Sequence, residues 1–233
     1  MKNKNGIDFH TLIVISKDRE RTNLLRNIEQ HLIAWLVERI PAWISSDMLT
    51  AIGYFGNVVV FLSFLMASYW HPALLLVSLP GFFINWFGDS LDGRIAYYRG
   101  KPRKWYGFAL DLTVDWLGII LIGCGYIIYA RTDWWYLFGF GFVVLYGWEM
   151  LTALLRYKIS GKYSIDSGWL SPTEVRIVIS FILILEVILP GSVYISSVIA
   201  CILLFVSNFV ETFKLLKIAN QKDSEERDKT ESL

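Results

Sequence analysis

The chain has 233 residues, 55% hydrophobic and 16% aromatic, with a formal net charge of +1. Its mean hydropathy of +0.45 is too high for an ordinary water-soluble domain, and several apolar runs approach the roughly 20 residues that a spanning helix needs. The two cysteines, Cys124 and Cys201, both sit in apolar runs, which argues against a disulfide framework or a zinc site, and no nucleic-acid partner is expected.

The N-terminus, Met1-Lys-Asn-Lys-Asn-Gly6, has no apolar stretch followed by a cleavage site, so no removable signal peptide is expected. Residues 1–18 read as a cytosolic arm. Residues 19–40 read as an amphipathic interfacial helix. Its apolar stripe is Leu24, Leu25, Ile28, Leu32, Ile33, Leu36 and Ile40, with Arg21, Arg26, Glu29, Glu38 and Arg39 opposite and Pro41 ending it.

Residues 41–218 form the membrane domain. Six spans are predicted, at about 47–69, 73–98, 105–130, 134–155, 172–189 and 192–216, with Ser45, Ser46 and Asp47 as candidate N-caps of the first. A polar loop runs from Arg156 to Ser171, and residues 219–233 read as a disordered cytosolic tail. The fold class is therefore all-α integral membrane: six transmembrane helices preceded by an interfacial helix. Lys and Arg crowd the N-terminal arm, the loops after the second and fourth spans, and the tail, whereas the opposite loops hold only Arg131. Both termini are expected in the cytoplasm.

Two stretches stand out, Gly88-Asp-Ser-Leu-Asp-Gly-Arg-Ile-Ala96 and Gly107-Phe-Ala-Leu-Asp-Leu-Thr-Val-Asp115. Asp89 and Asp92 are three apart, Asp111 and Asp115 four apart, so each pair shares a helix face. Measured from the loop centre near residues 101–102, Asp92 matches Asp111 in depth and Asp89 matches Asp115. All four fall about 10–20 Å inward from the cytosolic loop, as one site. Carboxylates at that density in an apolar setting call for cations, and hard divalent ions such as Mg²⁺ or Mn²⁺ suit their oxygens. Two close ions would clamp the entering and leaving oxygens of a phosphoryl displacement. Gly93 and Gly107 remove side chains beside the carboxylates, while Arg94, Arg99, Lys101, Arg103 and Lys104 surround the mouth and suit anionic groups.

This arrangement resembles the CDP-alcohol phosphotransferase signature, D-x-x-D-G-x-x-A-R, a spacer, then G-x-x-x-D-x-x-x-D. Seven of its eight fixed residues match, Asp89, Asp92, Gly93, Ala96, Gly107, Asp111 and Asp115. Pro41-Ala-Trp-Ile44 followed by Leu49-Thr50-Ala-Ile-Gly53 is also similar to the family's approach to its first span. The resemblance implies transfer of a substituted phosphate from a CDP-alcohol to a hydroxyl acceptor, with release of CMP, in phospholipid synthesis. It implies Asp89, Asp92 and Asp111 as metal ligands, and Asp115 as the base on the acceptor hydroxyl and a further ligand. Gly93 would lie against the nucleotide, with Ala96, Gly107, Arg94, Arg99 and Thr50 as further nucleotide or phosphate candidates. It also implies two Mg²⁺ or Mn²⁺ ions, one lipidic substrate and a homodimer. One position departs: the arginine after Ala96 is Tyr97 here, and Arg99 lies about 200° further round a helix.

Other polar residues carry two readings each. Glu174 and Arg176, after Pro172, read as helix-start residues or as acceptor-side residues of the cavity with Lys101 and Arg103. Pro172-Thr-Glu174 is similar to a stretch in the choline and ethanolamine phosphotransferase branch. Glu149 reads as a helix-to-helix contact or a substrate residue, Asn85 as a support of the aspartate site or a helix-to-helix bond, and Glu211 as interfacial. Two competing functions use the same residues: a cation transporter, and a non-catalytic relative that binds lipid or CDP-alcohol. The acids cluster on the cytosolic side and the later spans carry few charges to continue a path, which argues against transport.

Overall fold

The computed structural model describes residues 26–131, 134–160 and 172–231. Seven α-helices follow in order: α1 (Arg26–Val37), α2 (Ser46–Tyr69), α3 (Ser78–Tyr98), α4 (Lys104–Tyr129), α5 (Tyr136–Ser160), α6 (Pro172–Ile188) and α7 (Ser192–Glu231). A 3₁₀ turn, Pro72–Val77, leads into α3, and no strand occurs among the described residues. The chain is an all-α membrane protein. Among the described residues, five segments are long and apolar enough to cross a bilayer: Ser46–Tyr69, Pro72–Tyr98, Lys104–Tyr129, Tyr136–Ser160 and Ser192–Thr230. With 17 residues, α6 is shorter, about 26 Å at 1.5 Å per residue.

Local chemistry sets the boundaries. Ser45 caps α2, its Oγ accepting from the Met48 amide at 3.1 Å. His71 caps the 3₁₀ turn through Nδ1, which accepts from the Ala73 amide. Gly100, at φ +66°, reverses the chain after α3 while the Lys101 amide donates back to the Ala96 carbonyl. At the opposite end the buried Glu186 carboxylate accepts from Tyr129 Oη and from the amides of Gly191 and Val193, each at 2.9 Å. That carboxylate satisfies the first amides of α7 and ties them to α4.

Helices α2 and α3 touch backbone to backbone. A Cβ on Gly88 would lie 2.3 Å from the Gly53 nitrogen and 2.4 Å from the Leu49 carbonyl oxygen. One on Gly56 would lie 2.4 Å from the Asn85 nitrogen, and Asn85 Nδ2 donates to the Gly53 carbonyl at 3.0 Å. Near the α1 end, Ile33, Ala34 and Val37 pack with Leu49, Leu91 and Ile95. A deeper cluster joins Val60, Phe64, Phe82, Ile122, Tyr126, Leu183 and Val193.

Two expectations are corrected. The α1 stripe holds at Ile33, Leu36 and Ile40 but not at Leu32, which is exposed, whereas Glu29, assigned to the polar face, is buried. Trp86 Nε1 and Thr173 Oγ1 donate to Glu29 Oε1 at 3.3 and 3.1 Å, so hydrogen bonding outweighs the apolar count on that face. The helix also ends at Val37, before Pro41. The tail beyond residue 219 continues α7 as helix to Glu231 instead of being disordered. Gln221 bonds Glu225 one turn on, and Lys222 Nζ donates to the Ile159 carbonyl at the end of α5, which anchors the extension. Residues 1–25 and most of the Arg156–Ser171 loop lie outside the described residues.

Candidate active site

Helices α3 and α4 run antiparallel through the reversal at Gly100, which brings Asp89 opposite Asp111 and Asp115. One carboxylate oxygen from each of these three lies within 4.8 Å of the other two. Of the two pairs matched in depth, Asp89 and Asp115 meet in this group, and Asp111 joins them without Asp92. Two unit negative charges at that separation repel by about 3 kcal/mol at an effective dielectric of about 20, so the triangle is unfavourable by itself. The facing cation is Arg176 of α6, whose guanidinium is ion-paired with Asp89 Oδ2. Three partly buried hard oxygens with excess negative charge fit a divalent cation.

Asp92 is not brought into this triangle. It is buried; Thr50 Oγ1 donates to its Oδ2 at 2.7 Å and the Gly93 amide to its Oδ1. Ser46 Oγ donates to the Asp92 backbone carbonyl at 2.9 Å. Asp92 thus fastens the start of α2 to α3. Thr50 sits beside Asp92 in the first turns of α2.

The basic residues divide differently from expectation. Arg99 donates to the carbonyls of Ile44, Ile40 and Pro41, so it clamps the connection between α1 and α2 and does not line the triangle. Arg94 is buried and donates to the Ser90 carbonyl of its own helix at 2.7 Å. Arg103 pairs with Asp47 in an exposed salt bridge and stacks over the Tyr106 ring. Lys101 is exposed at the mouth. Glu174 is buried in the first turn of α6, two residues before Arg176. Gly93 and Ala96 are half-buried on α3. A Cβ on Gly107 would meet nothing within 4 Å, so helix packing does not explain that glycine.

Two residues near the site were not singled out from the sequence. Glu29 gathers α3 and α6 around the residues flanking Asp89 and Arg176; counting it among the charges of a polar helix face hid it. Asn57 is a buried amide on α2. Its only sequence signal is its polarity within an apolar run.

Comparison with known proteins agrees with this geometry. Among curated proteins, no individual relative matches the chain. The sequence profile described as CDP-alcohol phosphatidyltransferase matches residues 43–209, well over half of the chain and all of α2 through α6, including every aspartate above. The chain belongs to the CDP-alcohol phosphatidyltransferase family.

Proposed function

We propose that this protein transfers a substituted phosphate from a CDP-alcohol to a hydroxyl acceptor and releases CMP, as a step of phospholipid synthesis. The observation that carries the proposal is the convergence of Asp89, Asp111 and Asp115. These residues would hold Mg²⁺ or Mn²⁺, which when bound neutralises pyrophosphate charge. Asp115 takes the proton from the acceptor hydroxyl. The hydroxyl oxygen then forms its bond to the phosphorus that carries the donor alcohol, and the bond to CMP breaks with its electron pair going to CMP. Thr50, Gly93, Ala96 and Gly107 flank the nucleotide and phosphates, while Arg176 and Glu174 face the acceptor, with Lys101 and Arg103 at the cytosolic mouth. Asp92 serves as a ligand to a second ion through the lone pairs that its bonds from Thr50 and the Gly93 amide leave open. One substrate is lipidic: either CDP-diacylglycerol with a small polar acceptor, or a small CDP-alcohol such as CDP-choline or CDP-ethanolamine with a lipid acceptor. The working unit is a homodimer.

Purified chain incubated with Mg²⁺, labelled CDP-alcohols and a panel of acceptors is expected to release CMP. Asp115→Asn is expected to lower turnover by about 10²–10⁴-fold. No CMP release across the panel, with Asp115→Asn indistinguishable from wild type, would overturn the proposal. A second reading, binding of CDP-alcohol without turnover, draws on one observation: Tyr97 replaces the family arginine and Arg99 is committed to backbone carbonyls. Equilibrium binding of CDP-alcohol with no CMP formed would favour it.

A further inference from the structure

Burying a polar side chain without a hydrogen-bond partner is unfavourable, and such groups are rare in native proteins. Fifteen polar or charged side chains are buried among the described residues. All but one have a polar partner or electrostatic contact; Asn57, 4% exposed, has none among the described residues.

Its place in the fold gives the amide a purpose. Asn57 follows Thr50 by seven residues and Gly53 by four, so all three share one face of α2. Thr50 donates to Asp92, and a Cβ on Gly53 would lie 3.1 Å from the Asp89 nitrogen, so this face packs against the segment that carries Asp89 and Asp92. On α4, Gly118 follows Asp111 by seven residues and Asp115 by three, again on one face. A Cβ on Gly118 would lie only 2.1 Å from Asn57 Nδ2: the amide occupies the notch that this glycine leaves. Asn57 therefore sits where the site-facing sides of α2 and α4 meet, about one helical turn deeper than Asp115. With its nitrogen lodged against Gly118, the carboxamide oxygen is left as an acceptor.

We propose that Asn57 belongs to the cation site, its carboxamide oxygen accepting a hydrogen bond from a water of a hydrated divalent cation held by Asp89, Asp111 and Asp115. The inference rests on the metal dependence proposed above. Mg²⁺ gives up its water reluctantly and usually keeps several molecules in its shell. Those waters act as donors and need acceptors beyond the carboxylates. A neutral carboxamide supplies one without adding a negative charge to an already repulsive cluster. Filling the notch at Gly118 does not by itself require an amide, since leucine has nearly the same shape and no polar group to desolvate.

The test is Mn²⁺ binding to the full chain in detergent, read by electron paramagnetic resonance, with thermal unfolding in EDTA alongside. Asn57→Leu is expected to weaken Mn²⁺ binding about tenfold, the size found for partners of metal ligands, without lowering the unfolding temperature in EDTA. Asn57→Asp is expected to tighten Mn²⁺ binding, because it adds formal charge at the same position. Wild-type affinity in Asn57→Leu overturns the proposal. If that variant does not fold, unchanged or weaker binding in Asn57→Asp overturns it instead. Asp111→Asn separates the two levels. Loss of Mn²⁺ binding there, with wild-type binding in Asn57→Leu, removes Asn57 from the site and leaves the metal reading intact. No Mn²⁺ binding by wild type removes both.

Discussion

The pairing of Arg176 with Asp89 sets up a competition within the site. Both side chains are mostly shielded, 14% and 22% exposed, and the guanidinium and the proposed divalent cation would draw on the same carboxylate. Removing the guanidinium removes both a competitor and a repelling positive charge. Arg176→Met is therefore expected to tighten Mn²⁺ binding by about tenfold or more, equivalent to about 1.4 kcal/mol, while turnover falls because an acceptor-side group is lost. The same variant leaves three carboxylates without their facing cation, so it is expected to unfold at a lower temperature in EDTA and to regain stability as Mn²⁺ is added. Arg176→Lys keeps the charge and is expected to bind Mn²⁺ as wild type does. Titration of Mn²⁺ against the three proteins checks the order, and weaker binding by Arg176→Met would refute the competition.

At the scale of elements, glycines make α2 and α3 one unit, and two of them separate packing from ligand binding. Gly88 precedes Asp89, and an alanine Cβ there would press on the Gly53 nitrogen and the Leu49 carbonyl oxygen, backbone atoms that cannot rotate away. Gly88→Ala is expected to force the helices apart, costing about 1–3 kcal/mol in unfolding measurements and dragging Asp89 out of the triangle. Gly107→Ala meets no atom within 4 Å, so stability should hold while CMP release drops if a nucleotide or phosphate lies there. An equal loss of stability in both variants would contradict this division. The hairpin and its matched aspartates were legible in the sequence because helical spacing about a loop centre fixes both face and depth. Spacing does not fix which partner a side chain takes. Asp92 matched Asp111 in depth, yet Thr50 and the Gly93 amide hold it. Arg99 had the charge to meet phosphates, yet three carbonyls near the end of α1 hold it. Burial of Glu29 and the helical tail likewise depend on tertiary bonds, from Trp86 and Thr173 in one case and to Ile159 in the other.

At the scale of the whole molecule, the number of spans decides on which side of the membrane the tail lies, and α6 is the helix in question. Its 17 residues fall short of the roughly 20 of a standard span. Near its start Arg176 meets Asp89, and near its end Glu186 meets Tyr129, the last residue of α4. It therefore reaches from the level of the aspartates to the far end of α4, and we propose that it is a sixth crossing segment. The tail independently returns to the end where α5 finishes, through the bond from Lys222 to the Ile159 carbonyl. The basic loop after α3 makes that end the one expected in the cytoplasm, whereas at the far end Arg131 lies over the Tyr69 ring and donates to the Ser68 and Ile128 carbonyls. In a chain with Cys124 and Cys201 replaced, single cysteines at Trp70, Lys101 and Glu225 report the arrangement. Against a membrane-impermeant maleimide, Trp70→Cys is expected to react in intact cells. Lys101→Cys and Glu225→Cys are expected to react only after the membrane is opened. Reaction of Glu225→Cys in intact cells, with Lys101→Cys still protected, would mean that α6 does not cross and would place the tail on the opposite side from the aspartates.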